Sequence, residues 1–203
     1  MTTALSPIRR IISARMTESK RAIPRLRMSA DIEVDSLLNL PQELPGNDST
    51  IRLSVNDLLI KACTTALMNV PAVNIHWVEG ENDQYRRADN SIVTAAECGL
   101  PAPIVRGADS KTGWDITREV RNPTSRAAKG TLNVGGSSGA LCQHLQYRHV
   151  QRGSVRLHHQ CATMRVTPSI GHRALDGTVA AAFLSALRHR LERLDYLGLT
   201  LSG

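Results

Sequence analysis

Near its C-terminus the chain has only residues 167–177 in which to pass from an alternating apolar stretch to an amphipathic one. On one side Ala162, Met164 and Val166 alternate with polar neighbours, the period of two expected of a half-buried strand. On the other, Val179, Ala182, Phe183, Ala186, Leu187 and Leu191 share a stripe, with Arg188, Arg190, Glu192 and Arg193 outside it. That spacing predicts a helix over about 178–194. A strand that feeds a helix through so short a turn commits the chain to mixed α and β structure. The turn reads Thr167-Pro168-Ser169-Ile170-Gly171-His172-Arg173-Ala174-Leu175-Asp176-Gly177, with His172 and Asp176 four residues apart. An imidazole moves protons near neutral pH, and a fixed carboxylate or main-chain partner selects which ring nitrogen is free to do so. By itself H-x-x-x-D-G is a short pattern that arises by chance, and on spacing alone a histidine that merely occupies a turn is the favoured reading.

Upstream, Ile8, Ile11, Ile12 and Met16 predict a helix over 8–20, ended by Pro24. Met28, Ala30, Ile32 and Val34 alternate with Arg27, Ser29, Asp31 and Glu33 as one half-buried strand. Asp35 is placed as the N-cap of a short helix to about Glu43. Ser54 is placed as the cap of the next helix, with Asp57 in its first turn. That helix is apolar on more than one face, through Leu53, Leu58, Leu59, Ile60, Ala62, Cys63, Ala66 and Leu67, and should be buried. Pro71 stops it. Residues 73–78 read as a strand, 79–90 as a polar turn, and 91–96 and 102–105 as two more strands. A helix is expected over 115–129, kinked or split at Pro123. Residues 131–160 show no clear period. The expected fold class is α/β (α+β), a mixed central sheet with helices packed on it, in a single domain over 1–203.

Composition limits the alternatives. A chain of 203 residues buries roughly 70% of its unfolded surface without disulfides. With one Phe, two Trp and three Tyr, the core must rest on Leu, Ile, Val, Ala and Met. The net charge of +7 is dispersed, as at Arg25 and Arg27, Arg86 and Arg87, Arg188 and Arg190. Without interleaved aromatics or zinc-finger spacing it fits a polyanionic small molecule at least as well as nucleic acid. Cys63, Cys98, Cys142 and Cys161 make no C-x-x-C pair, and no signal peptide is visible. A reducing, intracellular setting is expected, with no membrane span. His144, His149, His158 and His159 are too irregular to suggest a metal site.

Six stretches taken together are more specific. They are Arg9-Arg10-Ile11-Ile12-Ser13-Ala14-Arg15-Met16-Thr17-Glu18-Ser19-Lys20; Ile23-Pro24; Asp31-Ile32-Glu33-Val34-Asp35; Ser54-Val55-Asn56-Asp57-Leu58-Leu59-Ile60-Lys61-Ala62; Pro103-Ile104-Val105-Arg106 with Ala108-Asp109-Ser110-Lys111; and His172-Arg173-Ala174-Leu175-Asp176-Gly177. In this order they resemble the catalytic core of the 2-oxo acid dehydrogenase acyltransferases, the E2 components of pyruvate-dehydrogenase-type complexes. Arg25, where the family often has His, and Gly171, where it usually has Asp, depart from the pattern.

The resemblance implies a chloramphenicol-acetyltransferase-like two-layer sandwich, assembled as trimers and commonly built into a larger hollow core. It implies transfer of an acyl group, acetyl being the first expectation, from a dihydrolipoyl thioester to coenzyme A. The lipoyl group would be presented by a separate domain, and the E1 and E3 components would be partners; lipoyl and peripheral-subunit-binding domains are not expected within this chain. His172 would be the general base. Asp176 would either support the base or serve structurally, by fixing the loop or by pairing with a buried Arg, and Gly177 would supply backbone freedom. The oxyanion donor would be Ser137 or Ser138 of Gly135-Gly136-Ser137-Ser138-Gly139. Arg9, Arg15 and Lys61 would meet coenzyme A phosphates. The expected location is the bacterial cytoplasm or the mitochondrial matrix. A catalytically weak or inactive structural core is the alternative.

Overall fold

The computed structural model describes residues 7–43, 52–91, 104–128, 156–158 and 161–193. Five helices occur among them: α1 (Pro7–Ala22), α2 (Asp35–Glu43), α3 (Val55–Asn69), α4 (Gly113–Ala128) and α5 (Gly177–Glu192). The strands are β1 (Arg25–Arg27), β2 (Ala30–Glu33), β3 (Ile75–Val78), β4 (Glu81–Gln84), β5 (Asn90–Ser91), β6 (Ile104–Val105), β7 (Arg156–His158), β8 (Cys161–Val166) and β9 (Ser169–Gly171). The mixed α/β expectation holds, with helices laid against small antiparallel sheets.

One antiparallel ladder organises the fold. β2 pairs with β8 from Glu33↔Thr163 to Ala30↔Val166, and β1 pairs with β9 from Arg27↔Ser169 to Arg25↔Gly171. The two share one register, interrupted where Met28 and Ser29 face Pro168 and Thr167. Pro168 has no N–H to give, so the ladder must lapse there. Its carbonyl still accepts from Met28 N (3.4 Å), and the Ser29 and Thr167 hydroxyls bond across the gap at 2.8 Å. The single strand expected over 27–34 is thus two, and β9 lies inside the stretch read as turn.

α3 and α5 form the layer beneath. The core draws Ile32 from β2, Val34 from the junction after it and Leu37 from α2, Leu58, Ala62, Ala66 and Leu67 from α3, Met164 and Val166 from β8, and Phe183, Leu184, Leu187 and Leu191 from α5. Phe183, the only phenylalanine, is completely buried. On α5 the stripe is shifted from its expected membership: Ala182 is exposed, while Ala180 and Leu184 are inside. α3 begins with a capping box, Ser54 Oγ accepting from Asp57 N while Asp57 accepts from Ser54 N, so the expected cap is in place. α3 is buried on several faces, as its composition required.

Four local expectations are corrected. Asp35 opens α2, but its carboxylate accepts from Ala162 N (2.9 Å) at the start of β8. Residues 71–73 form a 3₁₀ turn before β3. The polar stretch read as turn contains β4, paired with β3 around a reversal at Glu79 and Gly80, both at positive φ. α4 runs through Pro123 to Ala128, since one missing N–H removes one ladder bond without ending the helix. The strand expected over 91–96 lies, beyond Ser91, outside the described residues.

Candidate active site

The ladder delivers His172. One step past Arg25↔Gly171 in the same register, His172 N donates to Pro24 O at 2.8 Å, so the histidine's backbone closes the sheet edge. The turn that follows is held by Ala174 N and Leu175 N, both donating to Gly171 O at 3.3 Å. Leu175 is buried, and the His172 side chain is exposed. The turn is therefore pinned at its sheet end and by a core residue, with the imidazole presented outward.

The ring is fixed too. Nδ1 of His172 lies 2.9 Å from Leu175 O. A carbonyl oxygen can only accept, so Nδ1 carries the proton and Nε2 keeps the lone pair. Among the described residues no hydrogen bond engages Nε2. An exposed neutral imidazole with Nε2 outside any such bond has the chemistry to take a proton from an incoming acid.

Asp176 does different work from the base. It is the N-cap of α5, and its Oδ1 accepts from Thr178 N (3.0 Å), Val179 N (2.9 Å) and Thr178 Oγ1 (2.7 Å). The Val179 N–H bond, then the Thr178 hydroxyl, lower its carboxyl below the usual range, with a small contribution from His172's charge. It holds the loop, one of its two anticipated roles, by capping a helix rather than by pairing with an arginine. The partner that orients His172 is main-chain, the Leu175 carbonyl. Gly177 opens α5 without a positive φ, and a Cβ there would meet Leu26 Cδ2 at an ordinary 3.8 Å. The backbone therefore does not demand glycine, contrary to expectation.

The other anticipated residues are dispersed. Arg9 and Arg15 sit on α1, whose described side chains up to Glu18 are all exposed, including Ile11, Ile12 and Met16. Lys61 is buried in α3, and its ammonium donates to Asp109 O (2.8 Å) and Lys111 O (2.6 Å). Burial lowers its pKa, the nearby Asp109 opposing. Two of the three ammonium N–H groups thus hold the 109–111 loop, a structural role that stands beside the anticipated anion contact. Ser137 and Ser138 lie outside the described residues. Sequence reasoning missed Arg173, whose Nη2 donates to Ala22 O (2.7 Å) and whose guanidinium stacks 4.6 Å from the centre of the Trp77 ring. The only prior signal was its place beside His172.

Among the described residues no group of three metal-ligating side chains forms, and no helix is long and apolar enough to cross a membrane.

Helices packed against antiparallel ladders, with an exposed histidine at a strand–helix junction, make a fold shared by solved acetyltransferase cores. The Azotobacter vinelandii dihydrolipoamide acetyltransferase superposes with a TM-score of 0.85 at 16% identity, covering 97% of this chain and 93% of that one. The cubic core of the pyruvate dehydrogenase multienzyme complex gives 0.84 at 16% identity, covering 97% and 93%. A chloramphenicol acetyltransferase gives 0.55 at 14% identity, covering 83% and 89%.

The model of the 2-oxoacid dehydrogenases acyltransferase (catalytic domain) family matches residues 1–143, and the chain belongs to that family. It is 32% identical over 218 aligned positions to the dihydrolipoyllysine-residue acetyltransferase component of the pyruvate dehydrogenase complex of Zymomonas mobilis, covering 93% of this chain. A mitochondrial relative from Dictyostelium discoideum is 30% identical over 92% of this chain. The chain spans about half the length of the Zymomonas protein, 49%, and 34% of the Dictyostelium one.

Proposed function

We propose that this chain is the acyl-transferring core of a 2-oxo acid dehydrogenase complex, moving an acyl group, acetyl in the first instance, from dihydrolipoamide to coenzyme A. The observation that carries the proposal is the exposed His172 ring, with Nδ1 tied to Leu175 O and Nε2 left outside that bond. In the reaction Nε2 takes the proton of the coenzyme A thiol, and the thiolate attacks the acyl carbon of the lipoyl thioester. The tetrahedral intermediate then expels the lipoyl sulfur, which recovers the proton from Nε2. A free thiol has a pKa near 8.5 and its thiolate is the far better nucleophile, so removal of that proton is what the attack needs. In the Azotobacter protein the residues studied for catalysis are a serine, a histidine and an asparagine four positions after it. His172 and Asp176 stand at that interval, and Asn and Asp share the side-chain oxygen that caps a helix. The serine's counterpart is proposed as Ser137 or Ser138, whose hydroxyl would stabilise the oxyanion.

Coenzyme A phosphates are assigned to Arg9 and Arg15 on the exposed basic face of α1. Self-association is supported by the apolar Ile11, Ile12 and Met16 on that helix, 58%, 41% and 51% exposed. Trimers, and a larger hollow core built from them, are the proposed states, with a lipoyl domain and the E1 and E3 components as partners. The cytoplasm or the mitochondrial matrix is the proposed location, since the relatives include bacterial and mitochondrial proteins.

The test is acyl transfer from acetyl-dihydrolipoamide to coenzyme A by the full chain and by His172→Ala. Loss of a general base should lower kcat by about 10²–10⁴-fold. Equal activity in the two proteins removes His172 from the mechanism. Inactivity of both leaves a structural core as the function.

A further inference from the structure

The residue after the proposed base is engaged twice. Arg173 donates through Nη2 to the carbonyl of Ala22, the last residue of α1, and lays its guanidinium over the face of Trp77 in β3. A guanidinium can do both at once, because its N–H groups lie in the plane and its faces are free to stack. His172 N meanwhile donates to Pro24 O. Neighbouring residues of one turn therefore grip opposite ends of the Ala22-Ile23-Pro24 connection. Arg25 adds a third tie, its Nη2 donating to Ser19 Oγ of α1 at 2.6 Å.

The geometry points to Arg173 as a positioning residue for His172, acting through Trp77 and the end of α1; this rests on the reading of His172 as the base. The ring's own tie, Nδ1 to Leu175 O, fixes its rotation within the turn but not the turn's placement relative to the α1–β1 connection and the β3–β4 hairpin. β9 ends at Gly171, so beyond His172 N the ladder offers no further hold. Arg173 supplies that hold, spanning 151 residues of sequence to Ala22. Trp77 is half-buried, and so gives the cation a partly desolvated face, where such contacts are strongest. Without the latch the turn is held only by the His172 N–Pro24 O bond and by Leu175, and can tilt about those two points while the Nδ1 bond stays intact. Nε2 would then remain basic but stand off the line of the reacting thiol.

The prediction separates positioning from both substrate binding and simple stability. In the full chain, Arg173→Gln and Trp77→Leu should each lower kcat by about tenfold to a hundredfold, with KM for coenzyme A and for acyl-dihydrolipoamide within about twofold of wild type. The double variant should be no worse than the weaker single one, because both remove one latch. His172→Ala is measured beside them. If it is inactive while folded Arg173→Gln keeps wild-type kcat, this inference fails and the base reading stands. If His172→Ala is fully active, the base reading itself fails. A loss confined to KM, or losses that multiply in the double variant, also overturn the latch. Should Arg173→Gln not fold, as judged by its thermal midpoint, Trp77→Leu decides: unchanged kcat refutes the inference and a lowered kcat at unchanged KM supports it.

Discussion

Lys61→Met separates the two roles available to a lysine that the sequence assigns to coenzyme A and the fold places inside. The ammonium donates to Asp109 O and Lys111 O and thereby closes the 109–111 loop over a small apolar cluster of Ile60, Val105, Ala108 and Ile116. Hydrogen bonds from a charged donor contribute about 1.5–3 kcal/mol each, and an orphaned buried carbonyl costs about 1–3 kcal/mol. Against this, methionine removes the cost of burying an ammonium, which is what depresses the lysine's pKa. The net loss should be roughly 2–4 kcal/mol, or about 5–15 °C in Tm for a chain of this length. Denaturant titration and thermal melting measure it, with KM for coenzyme A as the second readout. The pH dependence has a definite sign. With the folded pKa below the unfolded one, the unfolded chain holds more protons in the window between them, so this group's contribution to stability rises with pH there. The gap between wild type and Lys61→Met should therefore widen as pH rises through the lowered folded value towards the ordinary lysine pKa near 10.4. A variant within about 0.5 kcal/mol of wild type, with KM for coenzyme A raised tenfold, would refute the structural role and return Lys61 to the phosphate contacts.

Other substitutions read neighbouring parts of the site. Asp176→Asn should keep both the α5 cap and most of the activity, while Asp176→Ala should lower both Tm and kcat; equal behaviour of the two would show that the charge, not the cap, is what matters. Because hydrogen bonds hold the Asp176 carboxyl below its usual range, its stabilisation is present above pH about 3.9 and fades as pH falls through the lower folded value, a fade that Asp176→Asn should lack in acid titration. Phe183→Ala should cost about 3–5 kcal/mol in chemical denaturation, as for a fully buried ring, and a cost below about 1 kcal/mol would mean that α5 does not depend on it. Ser54→Ala should cost about 1 kcal/mol by removing half of the α3 capping box, with no change in kcat.

Where burial wrote a period into the chain, the elements were legible. α3 and α5 begin and end within a few residues of their expected bounds, because an apolar face repeating every three or four residues states which side must leave water, and α1 keeps its expected bounds although its apolar Ile11, Ile12 and Met16 stay exposed. β4 was invisible for the complementary reason. Glu81, Asn82, Asp83 and Gln84 are all exposed, so the strand exists through pairing with β3 and carries no apolar alternation. β9 was hidden because half of its definition lies in β1, well over a hundred residues away. Ser169 to Gly171 is too short to show a period of its own.

The candidate site divides in the same way. The residue types alone showed that His172 is a group able to move a proton and that a helix begins just after Asp176; its choice as the base came from the resemblance. Only the tertiary structure decided that the Leu175 carbonyl orients the imidazole, that Asp176 spends its oxygen on α5, that Lys61 faces inward and that Arg173 reaches Ala22 and Trp77. The reason is physical. A side chain's chemistry belongs to the residue and is fixed once the sequence is written. Its partner belongs to the fold, because each of these contacts is settled by where backbone carbonyls and ring faces come to rest once the ladder and core have closed.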